Sequence, residues 1–155
     1  MMNQNTQIVI SEDNDGHAAL IERNLRRAGI KNDIIRFEDG YKTLEYFAKF
    51  KEDIDFRPYN SFILILDLKM PKIGGIEVLN EVKKSLLLRK IPIIVFTTTN
   101  SPQEVDRCYS LGCSNYVQKP IDYTEFVNAI NLIGKFLLVN EMPSLEREVI
   151  YDISR

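Results

Sequence analysis

Two short segments near the middle of the chain are apolar at every position, 62–66 (FILIL) and 93–96 (IIVF). A strand with one face in water alternates apolar and polar residues, whereas a strand covered on both faces can be apolar throughout. Both segments are too short for helices and are rich in Ile, Val and Phe, which favours strands. They therefore predict a parallel sheet with helices on both faces.

Strands and helices alternate along the whole sequence. Strands are predicted at 7–10, 33–37, 62–66, 91–96 and 115–117. Helices are predicted at 15–28 and 41–50, after Gly74-Gly75, and then at 101–112 and 122–139. Gly29 should end the first helix, Ser101 should begin a capping box and Asp122 should cap the last helix. Such serial β–α units predict an α/β fold, a flavodoxin-like doubly wound (βα)5 sandwich with a five-stranded parallel sheet in the order 2-1-3-4-5.

The totals exclude several classes of protein. The chain has 155 residues, enough for one domain, and its net charge of −2 gives no basic surface for nucleic acid. No apolar run approaches the ~20 residues that span a bilayer, and the first residues lack the features of a signal peptide. Cys108 and Cys113 are interpreted as reduced core thiols, because the single histidine lies far from them. We expect a cytoplasmic protein that binds neither nucleic acid nor membrane.

Two segments lie outside the β–α pattern. Residues 51–61 form a polar connection longer than a helix-to-strand turn requires. Within residues 140–155, Leu145, Val149 and Ile153 share one helical stripe, with Ser144 as a cap. This stripe must be buried, either on its own domain or on a second subunit. We therefore predict a domain at 1–139 and a C-terminal extension at 140–155 that is helical and takes part in dimerisation.

Polar residues that can carry chemistry follow four of the predicted strands. Glu12 and Asp13 follow the first strand, Asp67 the third and Lys119 the fifth, and Thr97 ends the fourth. In a doubly wound sheet the ligand binds outside these ends, where the strand order reverses. Three carboxylates in one crevice raise one another's pKa unless a cation joins them, and an all-oxygen site suits Mg²⁺.

This set of side chains suits phosphoryl transfer. A carboxylate can attack phosphorus, while Mg²⁺, Lys119 and the Thr97 hydroxyl offset charge on the phosphoryl oxygens. Singly, Glu12 and Asp13 could be helix-capping acids, Thr97 a strand former and Lys119 a loop residue. Asp67 is harder to explain in this way, because a charge at the mouth of a buried strand is costly unless it is paired or used. The joint occurrence at four strand ends favours function.

These residues resemble the receiver domain of bacterial response regulators. The matching motifs are Glu12-Asp13-Asn14, Asp67-Leu68-Lys69-Met70-Pro71 with Gly74-Gly75, Thr97, and Tyr116-Val117-Gln118-Lys119-Pro120. The resemblance covers residues 6–139. It implies a two-component phosphorelay in which Asp67 accepts a phosphoryl group from a sensor histidine kinase, with Mg²⁺ (or Mn²⁺) as cofactor. Asp13 matches the direct metal ligand, Glu12 a ligand acting through water and the Lys69 backbone carbonyl a further ligand.

The resemblance also implies how the domain switches. Thr97 matches the switch hydroxyl, Lys119 the phosphate-pairing lysine and Tyr116 the aromatic side chain that changes rotamer. Activation would reshape the face formed by the fourth helix, the fifth strand and the fifth helix. The Lys119–Pro120 bond is expected to be cis. Ser11 departs from the family, which usually has an apolar residue there, and should alter local packing or add a hydrogen bond.

The long polar connection and the absence of a DNA-binding domain resemble the stand-alone regulators of phytochrome-type and hybrid sensor kinases. The resemblance implies such a kinase as partner and a homodimer to which C-terminal residues contribute. It also implies a phosphoacceptor switch that catalyses only its own phosphorylation and dephosphorylation, not a turnover enzyme. His17 is expected to be exposed and is a candidate contact for the kinase.

Three other functions stay open. A Mg²⁺-dependent phosphohydrolase with Asp67 as nucleophile would commonly carry an acid two residues later, where this chain has Lys69. A flavin- or nucleotide-binding module would need a Ser/Thr/Gly-rich loop after the first strand, where Glu12 and Asp13 would repel phosphate. A phosphorylation-independent adaptor is compatible with every sequence feature.

Overall fold

The computed structural model describes residues 2–52, 59 and 61–145. Its elements are β1 (Thr6–Ser11), α1 (Asp15–Ala28), β2 (Ile34–Phe37), α2 (Gly40–Glu52), β3 (Ser61–Leu66), α3 (Gly75–Lys84), a 3₁₀ helix (Leu88–Lys90), β4 (Ile93–Thr97), α4 (Pro102–Leu111), β5 (Asn115–Gln118) and α5 (Tyr123–Val139). All strand pairs are parallel and the order is β2-β1-β3-β4-β5. The predicted flavodoxin-like doubly wound fold is confirmed. No helix in the described ranges is both long and apolar enough to span a membrane.

The sheet is buried on both faces because successive side chains enter two different cores. Val9 and Leu64 lie in the cluster covered by α2, α3 and α4, whereas Ile8 and Ile63 lie in the cluster covered by α1 and α5. All four side chains are at most 2% exposed. A strand that is apolar at every position is therefore one whose two faces are both covered.

The helix ends follow the local sequence signals in two of three predicted cases. Gly29 ends α1 with φ of 111°, a conformation that glycine adopts without steric cost. Asp122 caps α5, because its Oδ2 accepts the Glu125 N–H at 2.9 Å. The capping box predicted at Ser101 is wrong. The Ser101 hydroxyl donates to Gln103 Oε1 at 2.9 Å and caps no helix N–H.

The C-terminal segment returns across the domain up to the last described residue. Met142 packs against the α1–α5 cluster, and Leu145 is buried in the opposite cluster. Met142 also lines a cavity with Pro92, which precedes β4, so the segment crosses at the edge where strands begin. Leu145 is thus buried on its own domain. The rest of the predicted helical stripe, at 146–155, lies outside the described residues, as do positions 53–58 and 60 of the polar connection.

Candidate metal and phosphoryl site

The carboxyl ends of four strands place the predicted site residues at one edge of the sheet. The Asp67 N–H donates to the Ser11 carbonyl at 3.0 Å, and the Lys119 N–H donates to the Thr97 carbonyl at 2.6 Å. Strand-like pairing therefore continues past the strand ends and fixes the backbone on which the site is built. Glu12, Asp67, Thr97 and Lys119 are all buried there.

Glu12, Asp13 and Asp67 form an acidic cluster. One carboxylate oxygen from each lies within 4.8 Å of the other two. Glu12 is 1% exposed and Asp67 is 7% exposed, whereas Asp13 is exposed. Burial, opposed by the hydrogen bond from Lys119 and reinforced by the charge of Asp67, raises the pKa of Glu12 to about 7. Such a crowded set of oxygens is suited to a divalent cation.

The Lys119 ammonium group lies at the centre of the site. Its Nζ is 2.5 Å from Glu12 Oε1, 3.1 Å from Asp67 Oδ2 and 3.0 Å from His17 Nδ1. The predicted proximity of Lys119 to Asp67 is therefore observed. The expectation of an exposed His17 is wrong, because its ring is half-buried against Phe126, with ring centroids 4.9 Å apart. Burial, followed by the nearby Lys119 charge, lowers the pKa of His17.

The predicted switch residues lie on the β4–β5 side of the site. Thr97 is fully buried, and its hydroxyl has no hydrogen-bond partner among the described residues. A buried hydroxyl without a hydrogen-bond partner is costly, so the Thr97 hydroxyl is stabilised by any group that enters the site and bonds to it. The Tyr116 hydroxyl donates to the Thr99 carbonyl at 2.7 Å, and burial raises the pKa of Tyr116 to about 12.

Ser11 links the end of β1 to two neighbouring segments. Its Oγ lies 2.6 Å from Thr43 Oγ1 in α2 and donates to Met70 Sδ at 3.3 Å. The added hydrogen bond expected at this position is therefore present. Met70 follows Lys69, whose N–H donates to Asp67 Oδ1 at 3.4 Å. Ser11 thus holds the loop in which the predicted carbonyl ligand lies.

Helix α3 begins in close contact with the phosphoacceptor candidate. A Cβ on Gly75 would lie 2.3 Å from the Asp67 carbonyl oxygen and 2.6 Å from the Leu68 Cα. The Gly75 N–H donates to the Leu68 carbonyl at 2.9 Å. Only glycine fits at this position, which explains Gly75 after the Asp67 loop.

Arg36 on β2 was not predicted to belong to the site. Its Nε donates to the Glu12 carbonyl oxygen at 2.8 Å, and its Nη1 lies 2.9 Å from Asp15 Oδ1. The signal in the sequence is a single arginine within a short apolar strand. That signal does not reveal which backbone group the guanidinium reaches.

The Lys119–Pro120 peptide bond is trans, so the expected cis bond is wrong. The trans form is the intrinsically preferred one for any residue before proline. Lys119 reaches both Glu12 and Asp67 from this conformation.

Comparison with known protein families shows to which family the chain belongs. The family described as the response regulator receiver domain matches residues 8–131. The chain is a receiver domain. It belongs to the response regulators of two-component systems, whose receivers act as phosphoacceptor switches, and phosphorylation and divalent metal binding are general in this family.

Three solved receiver structures are similar to the chain. The receiver domain from Rhodospirillum rubrum is 40% identical, with a TM-score of 0.81 over 89% of this chain and 97% of that one. The Mn²⁺-bound form of Rcp1, a response regulator of Synechocystis sp., is 26% identical, with a TM-score of 0.80 over 89% of this chain and 99% of its own. The phosphorylated cyanobacterial phytochrome response regulator RcpA is 26% identical, with a TM-score of 0.79 over 89% and 98%.

Proposed function

We propose that this receiver accepts a phosphoryl group on Asp67 from a sensor histidine kinase and switches between two conformations in response. The observation that carries the proposal is the placement of a buried aspartate 3.1 Å from a buried lysine, within an acidic cluster at the strand ends. Glu12 is a poorer acceptor, because Lys119 and the Asn14 N–H hold its two oxygens at 2.5 and 3.2 Å, closer than the 3.1 and 3.4 Å at which Lys119 and the Lys69 N–H contact the oxygens of Asp67. Asp67 is also the more exposed of the two buried acids.

The transfer is a nucleophilic substitution at phosphorus. An Asp67 oxygen bonds to phosphorus as the bond from phosphorus to the donor histidine nitrogen breaks, and that nitrogen keeps the electron pair. Lys119 offsets charge on the phosphoryl oxygens, and the unpartnered Thr97 hydroxyl donates to one of them. Glu12, Asp13, Asp67 and the Lys69 carbonyl would hold Mg²⁺ (or Mn²⁺). The cation supplies positive charge beside the attacking carboxylate.

The output surface in this proposal is the face formed by α4, β5 and α5. In this structure the Tyr116 hydroxyl donates to the Thr99 carbonyl. Movement of Thr97 towards the phosphoryl group changes the space beside the Tyr116 side chain. A local change in charge thereby biases a two-state element. The chain catalyses only its own phosphorylation and dephosphorylation, which distinguishes it from a turnover phosphohydrolase.

The kinase partner in this proposal is of the phytochrome or hybrid type. The likeness to RcpA, a phytochrome response regulator, supports this choice. We further propose a homodimer, because α5 carries exposed apolar side chains and the half-buried Tyr116 and Val117 of the edge strand β5 line a groove beside them. The cytoplasmic location stays a prediction, as do the boundary at residue 139 and the role of residues 140–155 in dimerisation.

The phosphoacceptor is tested with a small acyl phosphate donor and Mg²⁺, followed by intact mass. We expect one phosphoryl adduct that hydroxylamine releases, its loss in Asp67→Asn, and its loss when the metal is chelated. Asp106→Asn, at an exposed position on α4, should keep the adduct. An undiminished adduct in Asp67→Asn would refute the assignment. Multiple-turnover release of phosphate from a monoester would favour the hydrolase instead.

A further inference from the structure

The Lys119 ammonium group has three N–H donors, and the structure provides an acceptor for each. Two acceptors are the Glu12 and Asp67 carboxylates, at 2.5 and 3.1 Å. The third is His17 Nδ1, at 3.0 Å. Lys119 is 2% exposed, so water has little access to replace a missing acceptor. The histidine is thus part of the environment that orients the ammonium group.

The imidazole of His17 contacts Phe126 and Lys119, and the backbone that carries it is fixed at the start of α1. The His17 backbone N–H donates to Asn14 Oδ1 at 2.9 Å, which fixes the first turn of α1. Its ring packs on Phe126 of α5, and Phe126 packs on Phe96 of β4, with ring centroids 5.4 Å apart. Lys119 Nζ lies 5.9 Å from the centre of the Phe96 ring. The histidine, the lysine and the two phenylalanines therefore form one packed unit beside the acidic cluster.

We propose that His17 is a positioning residue for phosphoryl transfer: its Nδ1 accepts one N–H of Lys119 and directs the other two towards the carboxylates. This inference rests on the proposed function for its consequence and on the contacts above for its geometry. It requires the neutral imidazole with the proton on Nε2, because an ammonium group can only donate. If Glu12 turned towards a bound metal ion, His17 Nδ1 would still accept an N–H of Lys119 and keep it oriented.

The tautomer is tested by ¹⁵N NMR of the full chain carrying ¹⁵N-histidine. His17 is the only histidine in the sequence, so both imidazole nitrogens are assigned without mutagenesis. We expect a protonated Nε2 and an unprotonated, hydrogen-bonded Nδ1, and a shift of the Nδ1 signal in Lys119→Met. A protonated Nδ1, or no change in Lys119→Met that circular dichroism shows to be folded, overturns the proposal. This readout needs no phosphorylation, so its outcome is separate from that of the Asp67 assignment.

The consequence for transfer is tested with matched substitutions of His17. The Oδ1 of Asn can take the place of Nδ1, whereas the amide of Gln reaches the place of Nε2 and Leu has no acceptor. We expect phosphorylation by the small acyl phosphate to be about tenfold slower in His17→Gln and His17→Leu, and close to wild type in His17→Asn.

The small donor separates positioning from contact with the kinase, because no kinase is present in the reaction. Mg²⁺ affinity, measured by calorimetry, should be equal in all three variants. A positioning role would be contradicted if His17→Leu were phosphorylated as fast as wild type. It would also be contradicted if His17→Asn and His17→Leu lost the phosphorylation rate equally. A defect seen only with a kinase as donor would instead assign His17 to the docking surface.

Discussion

Arg36 acts on the acidic cluster through the backbone. Its Nε donates to the Glu12 carbonyl at 2.8 Å, so it holds the loop that presents Glu12 and Asp13. Replacement by Met keeps the aliphatic stem and removes this bond, leaving a carbonyl that must find another donor. We expect Arg36→Met to bind Mn²⁺ about fivefold more weakly in calorimetry and to be about 1–2 kcal/mol less stable.

Asp15→Asn is the matched control for Arg36→Met. Asp15 pairs with the Arg36 guanidinium at 2.9 Å, but its side chain is 91% exposed. An exposed ion pair contributes little, and the bond to the Glu12 carbonyl stays intact. Metal affinity should therefore be unchanged. An equal loss of Mn²⁺ affinity in both variants would show that the ion pair with Asp15, and not the hydrogen bond to the Glu12 carbonyl, holds the loop.

The sequence predicts some residues of the site better than others. Asp67 and Lys119 could be placed because each directly follows a strand, and parallel strands end at one edge of the sheet. His17 could not, because its contact with Lys119 depends on how α1 packs against α5. Arg36 could not for a similar reason, since its target is a backbone carbonyl, which no side-chain pattern indicates.

Helix α2 begins with a carboxylate cap that was not among the caps predicted from the sequence. Asp39 Oδ1 accepts the Lys42 N–H at 2.8 Å, and Lys72 Nζ lies 3.6 Å from its Oδ2. The Lys42 N–H is the main reason that the pKa of Asp39 lies below its ordinary value of 3.8. A carboxyl group with a lowered pKa stabilises the fold above its unfolded-state pKa. That stabilisation is lost as pH falls through the lower folded value.

Asp39→Asn should therefore destabilise the domain in a pH-dependent way. Asn caps about as well as Asp, so the difference between the two reports the charge. We expect the free energy of unfolding to be about 1 kcal/mol lower in the variant near pH ~7, and the gap to close as pH falls through the lowered folded-state pKa of Asp39. Urea unfolding, followed by circular dichroism at each pH, measures this free energy of unfolding. Glu38→Gln, which removes the exposed pair with Lys42, should show no comparable gap.

At the scale of elements, periodicity predicted each strand and each α-helix but not the 3₁₀ helix Leu88–Lys90, and local chemistry decided the ends. The prediction at 15–28 coincides with α1 because Gly29 stops the helix. The fourth strand begins at Ile93 and not at 91, because Pro92 has no N–H to donate to the sheet. Ser101 matched the capping pattern. That pattern does not reveal that the Ser101 hydroxyl bonds to Gln103 Oε1 and not to a helix N–H.

An apolar groove runs between β5 and α5. It has a volume of about 340 Å³ and is lined by residues that include Val117, Leu132 and Phe136. Leu132 is 67% and Phe136 49% exposed. Contiguous exposed apolar surface marks an interface, and in a homodimer each copy would cover the groove of the other. We expect the chain to sediment as a dimer and Leu132→Glu to weaken dimerisation at least tenfold.

Leu86→Glu is the control for the dimer. Leu86 is 72% exposed, but it lies in the connection between α3 and β4 and does not line the groove. Sedimentation equilibrium of this variant should match wild type. A wild-type monomer at all concentrations tested, or equal weakening in the two variants, would contradict the proposed interface.

The two sides of the crevice differ in their freedom to move. On the α3 side, the Gly75 backbone already touches the Asp67 carbonyl, and even one added carbon would lie 2.3 Å from its oxygen. On the α4 side, the Thr97 and Thr99 hydroxyls and Glu104 Oε2 are buried without partners among the described residues. The main chain of Asp67 is therefore fixed on the α3 side, whereas the α4 side offers unsatisfied polar atoms. We expect displacement to be directed towards α4, so the packing of the resting domain sets the direction of its response.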